Sequence, residues 1–182
     1  MSPVENPVLQ RTRNWVEQIV IGLNLCPFAE PVFKNDQIDY TIINAGNLEQ
    51  HLRSLAECFT TLDGSPEIET SLIIFPEDYQ AFDDYLELLY LSNELLSDLA
   101  YVGTYQLASF HPDYVFEGSS EDDAANFTNR SPYPMLHLIR EHSLEKAISH
   151  YPDVEQVPEN NIKKLREIGY ERMKKRLEEI NT

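Results

Sequence analysis

Hydrophobic residues recur along the chain at helical spacing in some segments and form short continuous runs in others. Trp15, Ile19 and Leu23 follow one another at intervals of four, which predicts an amphipathic helix from about residue 6 to 23. The same kind of spacing predicts helices over about 48–62, 78–96, 134–150 and 158–180. Short apolar or β-branched runs predict strands over about 38–43, 69–75 and 102–110.

This order of elements predicts an α/β fold with a small sheet of three to four strands, mainly parallel or mixed, packed with helices and followed by C-terminal helices. The length of 182 residues fits one domain over 1–182. Parallel strands would place the loops 44–46, 76–78 and 111–113 at one edge of the sheet, where ligands bind in such folds. A hairpin turn at 33–37 would make the sheet mixed and weaken this expectation.

Charge is distributed unevenly along the chain. The 31 acidic and 14 basic residues leave a net charge of -17, and no Lys or Arg occurs between residues 54 and 129. Residues 161–182, in contrast, are locally basic and are predicted to form a C-terminal helix that either docks on the acidic body or lies at its periphery. The docking residues would be Ile162, Leu165, Met173 and Leu177. The acidic balance argues against nucleic-acid and membrane partners.

The expected location is the cytoplasm. The longest apolar run falls short of the ~20 residues of a membrane span, and residues 1–5 lack the basic start of a secretory signal. Cys26 and Cys58 are the only cysteines and form no C-x-x-C pair, which is typical of free thiols in a reducing compartment.

Polar side chains with reactive potential are concentrated after the third predicted strand. His111 and Asp113 follow it directly, and His137 lies on the next predicted helix. These residue types predict a catalytic group in which His111 or His137 moves a proton and Asp113 orients the histidine. Two histidines and a carboxylate are also a known metal-ligand set. A third interpretation has Asp113 capping the turn while His111 packs against the sheet end. The sequence identifies no cofactor.

Arg130 is the first base after the base-free stretch and precedes a predicted helix start. There it could hold a carboxylate or phosphate of a small anionic molecule, or form a salt bridge with a nearby acid at 121–123. The other predicted substrate-binding residues are Asn129, Arg140 and Cys26. Because Cys26 follows a helix rather than starting one, we expect it to pack or to line a pocket. His51, His142 and His150 are predicted to be surface or packing residues.

No phosphate-binding loop, dinucleotide fingerprint, nucleophile elbow or zincin motif occurs in the chain. The blocks Trp15-Val16, GLNLCPFA at 22–29, FHPDY at 110–114, NRSPYP at 129–134, His137-Leu138 and Arg140-Glu141 are more specific. In these blocks the chain resembles the bacterial family known as domain of unknown function 1415, over about residues 15–146. The resemblance implies a soluble bacterial protein of one domain and supplies no activity, cofactor or catalytic residue.

The sequence supports a small cytoplasmic enzyme that acts on an anionic small molecule by histidine-based acid–base chemistry. The alternatives are a non-catalytic protein whose acidic surface engages a basic partner, and a metal-binding protein that uses His111, Asp113 and His137. An enzyme should bring His111, Arg130 and His137 to one concave pocket, whereas a binding module should scatter them.

Overall fold

A computed structural model describes residues 6–151 and 153–180 of the chain. The expectations about residues 1–5 and the end of the basic tail lie outside the described residues. The strands are β1 (Ile38–Ile42), β2 (Thr70–Ile74), β3 (Tyr105–Phe110) and β4 (Met135–Arg140). The helices are α1 (Pro7–Trp15, continued by a π-helical turn over Val16–Ile21), α2 (Ala29–Lys34), α3 (Leu48–Asp63), α4 (Phe82–Asp98), α5 (Glu141–Ser149), α6 (Val157–Ile168) and α7 (Tyr170–Ile180), with 3-10 turns over Ala124–Thr128 and Val154–Gln156.

The four strands form one mixed sheet in the order β1-β2-β4-β3. β1 and β2 are parallel, and β4 is antiparallel to both of its neighbours, so β1, β2 and β3 run in the same direction. The register pairs Ile42 with Ile74, Ile74 with Met135, and Met135 with Phe110. The three carboxyl ends therefore meet at one edge, as predicted, and the α/β fold with a small mixed sheet is confirmed.

The predicted helix over 134–150 is wrong in its first half. Residues Met135–Arg140 form the strand β4, and only Glu141–Ser149 is helical. Met and Leu favour helices in isolation, but this segment lies between β2 and β3 and pairs its main chain with both. Met135, Leu136 and Leu138 are completely buried there. The main-chain groups of β2 and β3 need hydrogen-bond partners, and this requirement outweighs the local helix propensity of the segment.

Hydrophobic side chains cover the sheet on both faces, because successive residues of a strand point to opposite sides. Leu72 and Ile74 of β2 pack with Trp15, together with residues of α6 and α7. Ile73 and Phe75 point to the other side and pack with residues of α3 and α4. Two packed layers of helices therefore enclose the sheet and leave its carboxyl edge to the loops.

The basic C-terminal segment contributes to the first of these layers. Leu165 and Met173 are fully buried and Leu177 nearly so, which confirms the packing predicted for them. Ile162 is 37 % exposed, so its predicted packing is wrong. The predicted single helix over 158–180 is interrupted at Gly169, whose φ of 89° lies in the left-handed region that suits glycine.

A bridge between opposite charges ties α6 to the acidic body. The Arg166 guanidinium donates to both carboxylate oxygens of Asp123, at 3.1 and 2.6 Å. These hydrogen bonds hold the pKa of Asp123 down at about 2. The expected pairing of the basic segment with acids of the body is present at this position.

Candidate functional site

The loops at the carboxyl edge of the sheet border an open cavity of about 300 Å³, called here the strand-end cavity. It lies between the start of α3, the loop after β2 and the start of α4. Its lining residues are Gly46, Leu48, His51, Asp78, Tyr79, Asp84, Glu87 and Leu88. Two of the three loops predicted to share this edge, 44–46 and 76–78, thus contribute to a concave site.

His51 is the most buried polar residue of the strand-end cavity, with 2 % of its surface exposed. Its Nδ1 lies 2.6 Å from the Tyr79 hydroxyl. Its Nε2 has no hydrogen-bond partner among the described residues and lies 3.4 Å from Oδ2 of Asp78. Because a carboxylate can only accept, the proton of a neutral ring belongs on Nε2, and Nδ1 then accepts from the Tyr79 hydroxyl. Carboxylate, imidazole and phenol are thus arranged in a row.

The start of α3 places His51 within this row. The Asn47 side chain accepts from Gln50 N at 3.0 Å, while the Gln50 side chain accepts from Asn47 N at 2.9 Å, which forms a capping box. Asp78 is held from the same side, because its Oδ2 accepts from Gly46 N at 3.1 Å. A Cβ at position 46 would lie 3.0 Å from His51 Nε2, so the close approach of this loop favours glycine.

Tyr79 adopts a conformation that is uncommon for an aromatic residue, with a φ of 58°. Its hydroxyl is engaged by His51, and its main-chain oxygen accepts from His111 Nε2 at 2.9 Å. Burial raises the pKa of Tyr79 to about 12, with further contributions from the charges of Asp78 and Glu87, so the phenol keeps its proton at neutral pH. Backbone strain of this kind is concentrated at functional sites.

His111 holds the loop that carries Tyr79, and both of its ring nitrogens are occupied. Nε2 donates to the Tyr79 carbonyl, and Nδ1 accepts from Asp113 N at 3.0 Å. The ring is completely buried, 5.1 Å from the rings of Phe82 and Tyr85. Burial lowers the pKa of His111, which favours the neutral ring. This arrangement matches the interpretation in which His111 packs at the sheet end, while the Asp113 side chain is exposed.

His137 lies in the middle of β4 and faces the opposite side of the sheet from His111. Its ring is 6.0 Å from Phe110, which packs on the side of α1. The Thr70 hydroxyl donates to the Leu138 carbonyl at 2.6 Å, so His137 Nε2 must donate to that hydroxyl, 2.5 Å away. Burial lowers the pKa of His137 to about 4.

Arg130 is buried beside Phe127 and Tyr170, on the side of the sheet that packs with α6 and α7, and only 7 % of its surface is exposed. It donates to the main-chain carbonyls of Tyr114 at 3.1 Å and Glu121 at 2.7 Å. Its guanidinium lies over the rings of Phe127 and Tyr170, at 4.8 and 5.5 Å. These residues are called here the Arg130 cluster. The expected salt bridge with a nearby acid is replaced by a bond to the main chain of Glu121.

The remaining predicted substrate-binding residues also have partners within the fold. Arg140 donates to the carbonyls of Ile68, at 2.9 Å, and Ser65, at 3.0 Å, and so ties down the segment before β2. Asn129 donates to the Ser109 carbonyl at 2.9 Å. Cys26 is half-buried, and burial raises the pKa of its thiol, which disfavours the thiolate.

The structure therefore does not bring His111, Arg130 and His137 to one pocket. Within 6–151 and 153–180, no group of three or more His, Cys, Asp or Glu side chains is arranged to hold a metal ion. The metal-binding alternative with His111, Asp113 and His137 is not supported by this arrangement. The edge instead gathers His51, Asp78 and Tyr79, none of which is a predicted site residue.

A signal for this second group was present in the sequence. Asp78 belongs to a loop predicted at the carboxyl edge, and His51 lies one helical turn beyond the neighbouring predicted loop at 44–46. The partners of His51 are 27 and 28 positions away in the chain, at Asp78 and Tyr79, so no local pattern marks this histidine. The placement of edge loops thus carried more information about the site than the local clustering of polar residues.

The model of the family described as Protein of unknown function (DUF1415) matches residues 7–175. The chain belongs to this family. The DUF1415 match continues past residue 146, where the resemblance was expected to end, and includes α6 and the first part of α7. No curated protein and no solved structure matched the chain. In the part of the chain that the structure describes, no helix is long and apolar enough to cross a membrane.

Proposed function

We propose that this chain is a small cytoplasmic enzyme that binds a small molecule in the strand-end cavity and uses His51 for acid–base chemistry. The row of Asp78, His51 and Tyr79 in one cavity carries the proposal. Buried polar atoms are nearly always paired in proteins, so the unpartnered Nε2 of His51 marks this ring as different from a packing histidine. Free thiols at Cys26 and Cys58 support a reducing location.

The three side chains have complementary roles in a proton transfer. The Tyr79 oxygen takes a proton from the bound molecule while the phenolic proton moves to Nδ1 of His51, and the ring becomes positively charged. Asp78, 3.4 Å from Nε2, stabilises that charge and keeps the ring oriented. The reverse transfer returns a proton to the product. His111 positions Tyr79 through its main-chain oxygen.

The anionic substrate that the sequence predicts has less support in this cavity. Asp78, Asp84 and Glu87 line it, whereas the hydrogen bonds of Arg130 and Arg140 are directed to other parts of the fold. The acid–base chemistry predicted for His111 or His137 is therefore assigned to His51. The net charge of -17 still argues against nucleic-acid and membrane partners.

The test is a search for catalysed proton transfer with matched histidine variants. Wild type, His51→Gln and His142→Gln are incubated in deuterated water with a panel of small esters, amides and carbonyl compounds, and turnover or deuterium uptake is followed by NMR. His142 is exposed on α5 and provides the control. We expect at least one compound to react with the wild type and the control, and the rate to fall at least ~100-fold in His51→Gln.

Two results would contradict the proposal. A wild-type protein that changes none of the compounds argues against an enzyme, and equal rates in His51→Gln place the chemistry elsewhere. The partner-binding alternative stays a prediction and has an observation of its own. Leu86 and Tyr90, one turn apart on α4, are 41 % and 63 % exposed.

A further inference from the structure

We infer that the strand-end cavity binds an organic cation, whose ammonium or guanidinium group lies among Asp78, Asp84 and Glu87. The inference rests on the proposed function only in using the same cavity, and it names the class of ligand. The charge of the lining, the His51 nitrogen without a hydrogen bond and the leucines of the lining support it.

The lining has three carboxylates, and His51 is its one basic side chain among the described residues. Neither Lys nor Arg occurs among the described residues that border the cavity. The side chains of Asp84 and Glu87 form no hydrogen bond or ion pair within 6–151 and 153–180, and Asp78 accepts from Gly46 N and lies 3.4 Å from Nε2 of His51. Asp84 and Glu87 are exposed, and carboxylates that border one cavity repel each other; a cation between them reduces the repulsion.

His51 gives a second and independent indication of a ligand. The side chain is 2 % exposed, lines the same cavity, and leaves Nε2 without a hydrogen-bond partner. The absence of a side chain at Gly46 keeps the covering of Nε2 thin, since a Cβ there would approach to 3.0 Å. An ammonium or guanidinium that reaches Nε2 would donate to it, and the ring proton would then lie on Nδ1 and be donated to the Tyr79 hydroxyl.

The rest of the lining suits an organic molecule better than a bare ion. Leu48 and Leu88 offer an apolar wall, and the volume of about 300 Å³ is at the lower end for small-molecule sites. No three His, Cys, Asp or Glu side chains in the described part of the chain are close enough together to hold a metal ion. Asp78, Asp84 and Glu87 are therefore spread around the cavity and suit a larger organic cation better than an inorganic ion. A short alkyl chain with a cationic end fits both the acids and the leucines.

The inference is tested by calorimetric titration of the full chain at low ionic strength. The probes are butylammonium and butylguanidinium, the anion butyrate with the same alkyl chain, Mg²⁺, and a short lysine-containing peptide. We expect the two organic cations to bind and butyrate not to bind. Affinity should weaken as salt is added, because part of the attraction is electrostatic. If the peptide binds more tightly than butylammonium, the ligand is a lysine side chain of another protein, and the inference of a free small molecule is overturned.

Matched charge variants of α4 localise the binding. Asp84→Asn combined with Glu87→Gln should weaken butylammonium at least ~10-fold, while Asp83→Asn combined with Glu94→Gln should change its affinity by less than ~2-fold. Asp83 and Glu94 are exposed on the same helix and do not line the cavity. Equal weakening by both pairs would show a general charge effect and overturn the site, as would binding of Mg²⁺ alone.

Failure of this inference and failure of the proposed function give different results. If butylammonium binds and no compound is turned over, the cation site stands and the enzyme proposal falls. If a neutral or anionic compound is turned over through His51 while butylammonium does not bind, the cation inference falls alone. Circular dichroism of each variant checks that the fold is retained.

Discussion

The strand-end cavity and the Arg130 cluster both bury an ionisable side chain, but they treat its hydrogen bonds differently. Arg130 is 7 % exposed and donates to two main-chain carbonyls beneath two aromatic rings. His51 is 2 % exposed, and its Nε2 makes no hydrogen bond and lies 3.4 Å from Oδ2 of Asp78. A buried ionisable side chain whose polar atoms are all hydrogen-bonded stabilises the fold. A buried side chain with a polar atom that makes no hydrogen bond beside a cavity indicates a binding site.

The largest effect on stability is expected at Arg130. Arg130→Met leaves the carbonyls of Tyr114 and Glu121 without their donor and removes the cation over Phe127. We expect the free energy of unfolding to fall by about 3 kcal/mol in chemical denaturation, while butylammonium still binds. Arg172→Met, at an exposed position of α7, should cost less than ~0.5 kcal/mol. If Arg130→Met lost as little free energy of unfolding as Arg172→Met, Arg130 would not have the structural role assigned to it.

A smaller loss is expected at His111, where structure and site meet. His111→Leu introduces an apolar side chain of similar size and leaves the Tyr79 carbonyl and Asp113 N without their hydrogen-bond partners. The free energy of unfolding should fall by about 2 kcal/mol, and butylammonium affinity should fall as well, because Tyr79 loses its anchor. His142→Leu on exposed α5 is the control. Unchanged affinity in a destabilised His111→Leu would separate His111 from the cavity.

The pH dependence of stability extends the comparison to a third histidine. Burial lowers the pKa of His137 to about 4, from an ordinary value of 6.5. The unfolded chain therefore takes up this proton first, so the stabilisation is complete above pH 6.5 and is lost as the pH falls from there towards about 4. For this half-buried ring the loss should be about 1–2 kcal/mol. His111, whose pKa is also lowered, adds a loss of the same sign.

Denaturant unfolding from about pH 7.5 to about pH 4.5 measures this loss. His137→Gln should show a shallower fall than the wild type, whereas His142→Gln should follow the wild type. Stability that increases as the pH decreases through this window would show that the folded state favours the charged rings, contrary to their burial.

The smallest effect on stability, and the sharpest on binding, is expected at Gly46. A Cβ at this position meets His51 Nε2 and the flexible end of Gln50, each at 3.0 Å. Gly46→Ala should change the free energy of unfolding by less than ~1 kcal/mol and weaken butylammonium about ten-fold. Gly64→Ala is the control, since the atoms nearest to its Cβ lie beyond 3.5 Å. Equal affinities in the two variants would show that the ligand does not reach Nε2.

The sequence predicted elements best where local pattern and tertiary demand agree. α3 was predicted over 48–62 and is observed over Leu48–Asp63, because its apolar stripe and its capping box lie within the segment itself. Prediction failed for β4, where Met135–Arg140 favours a helix locally but fills the gap between β2 and β3. A main chain that must pair with distant strands cannot be recognised from its own residues.

By itself the sequence determined the α/β class, the shared carboxyl edge, the burial of Leu165 and Met173, and the family to which the chain belongs. These features follow from hydrophobic spacing and from motifs that are local in the chain. The tertiary structure alone decided that Arg130 and His111 are fully paired and that His51 is not. Hydrogen-bond satisfaction depends on atoms brought together across long separations, so the candidate site emerged only once the chain was folded.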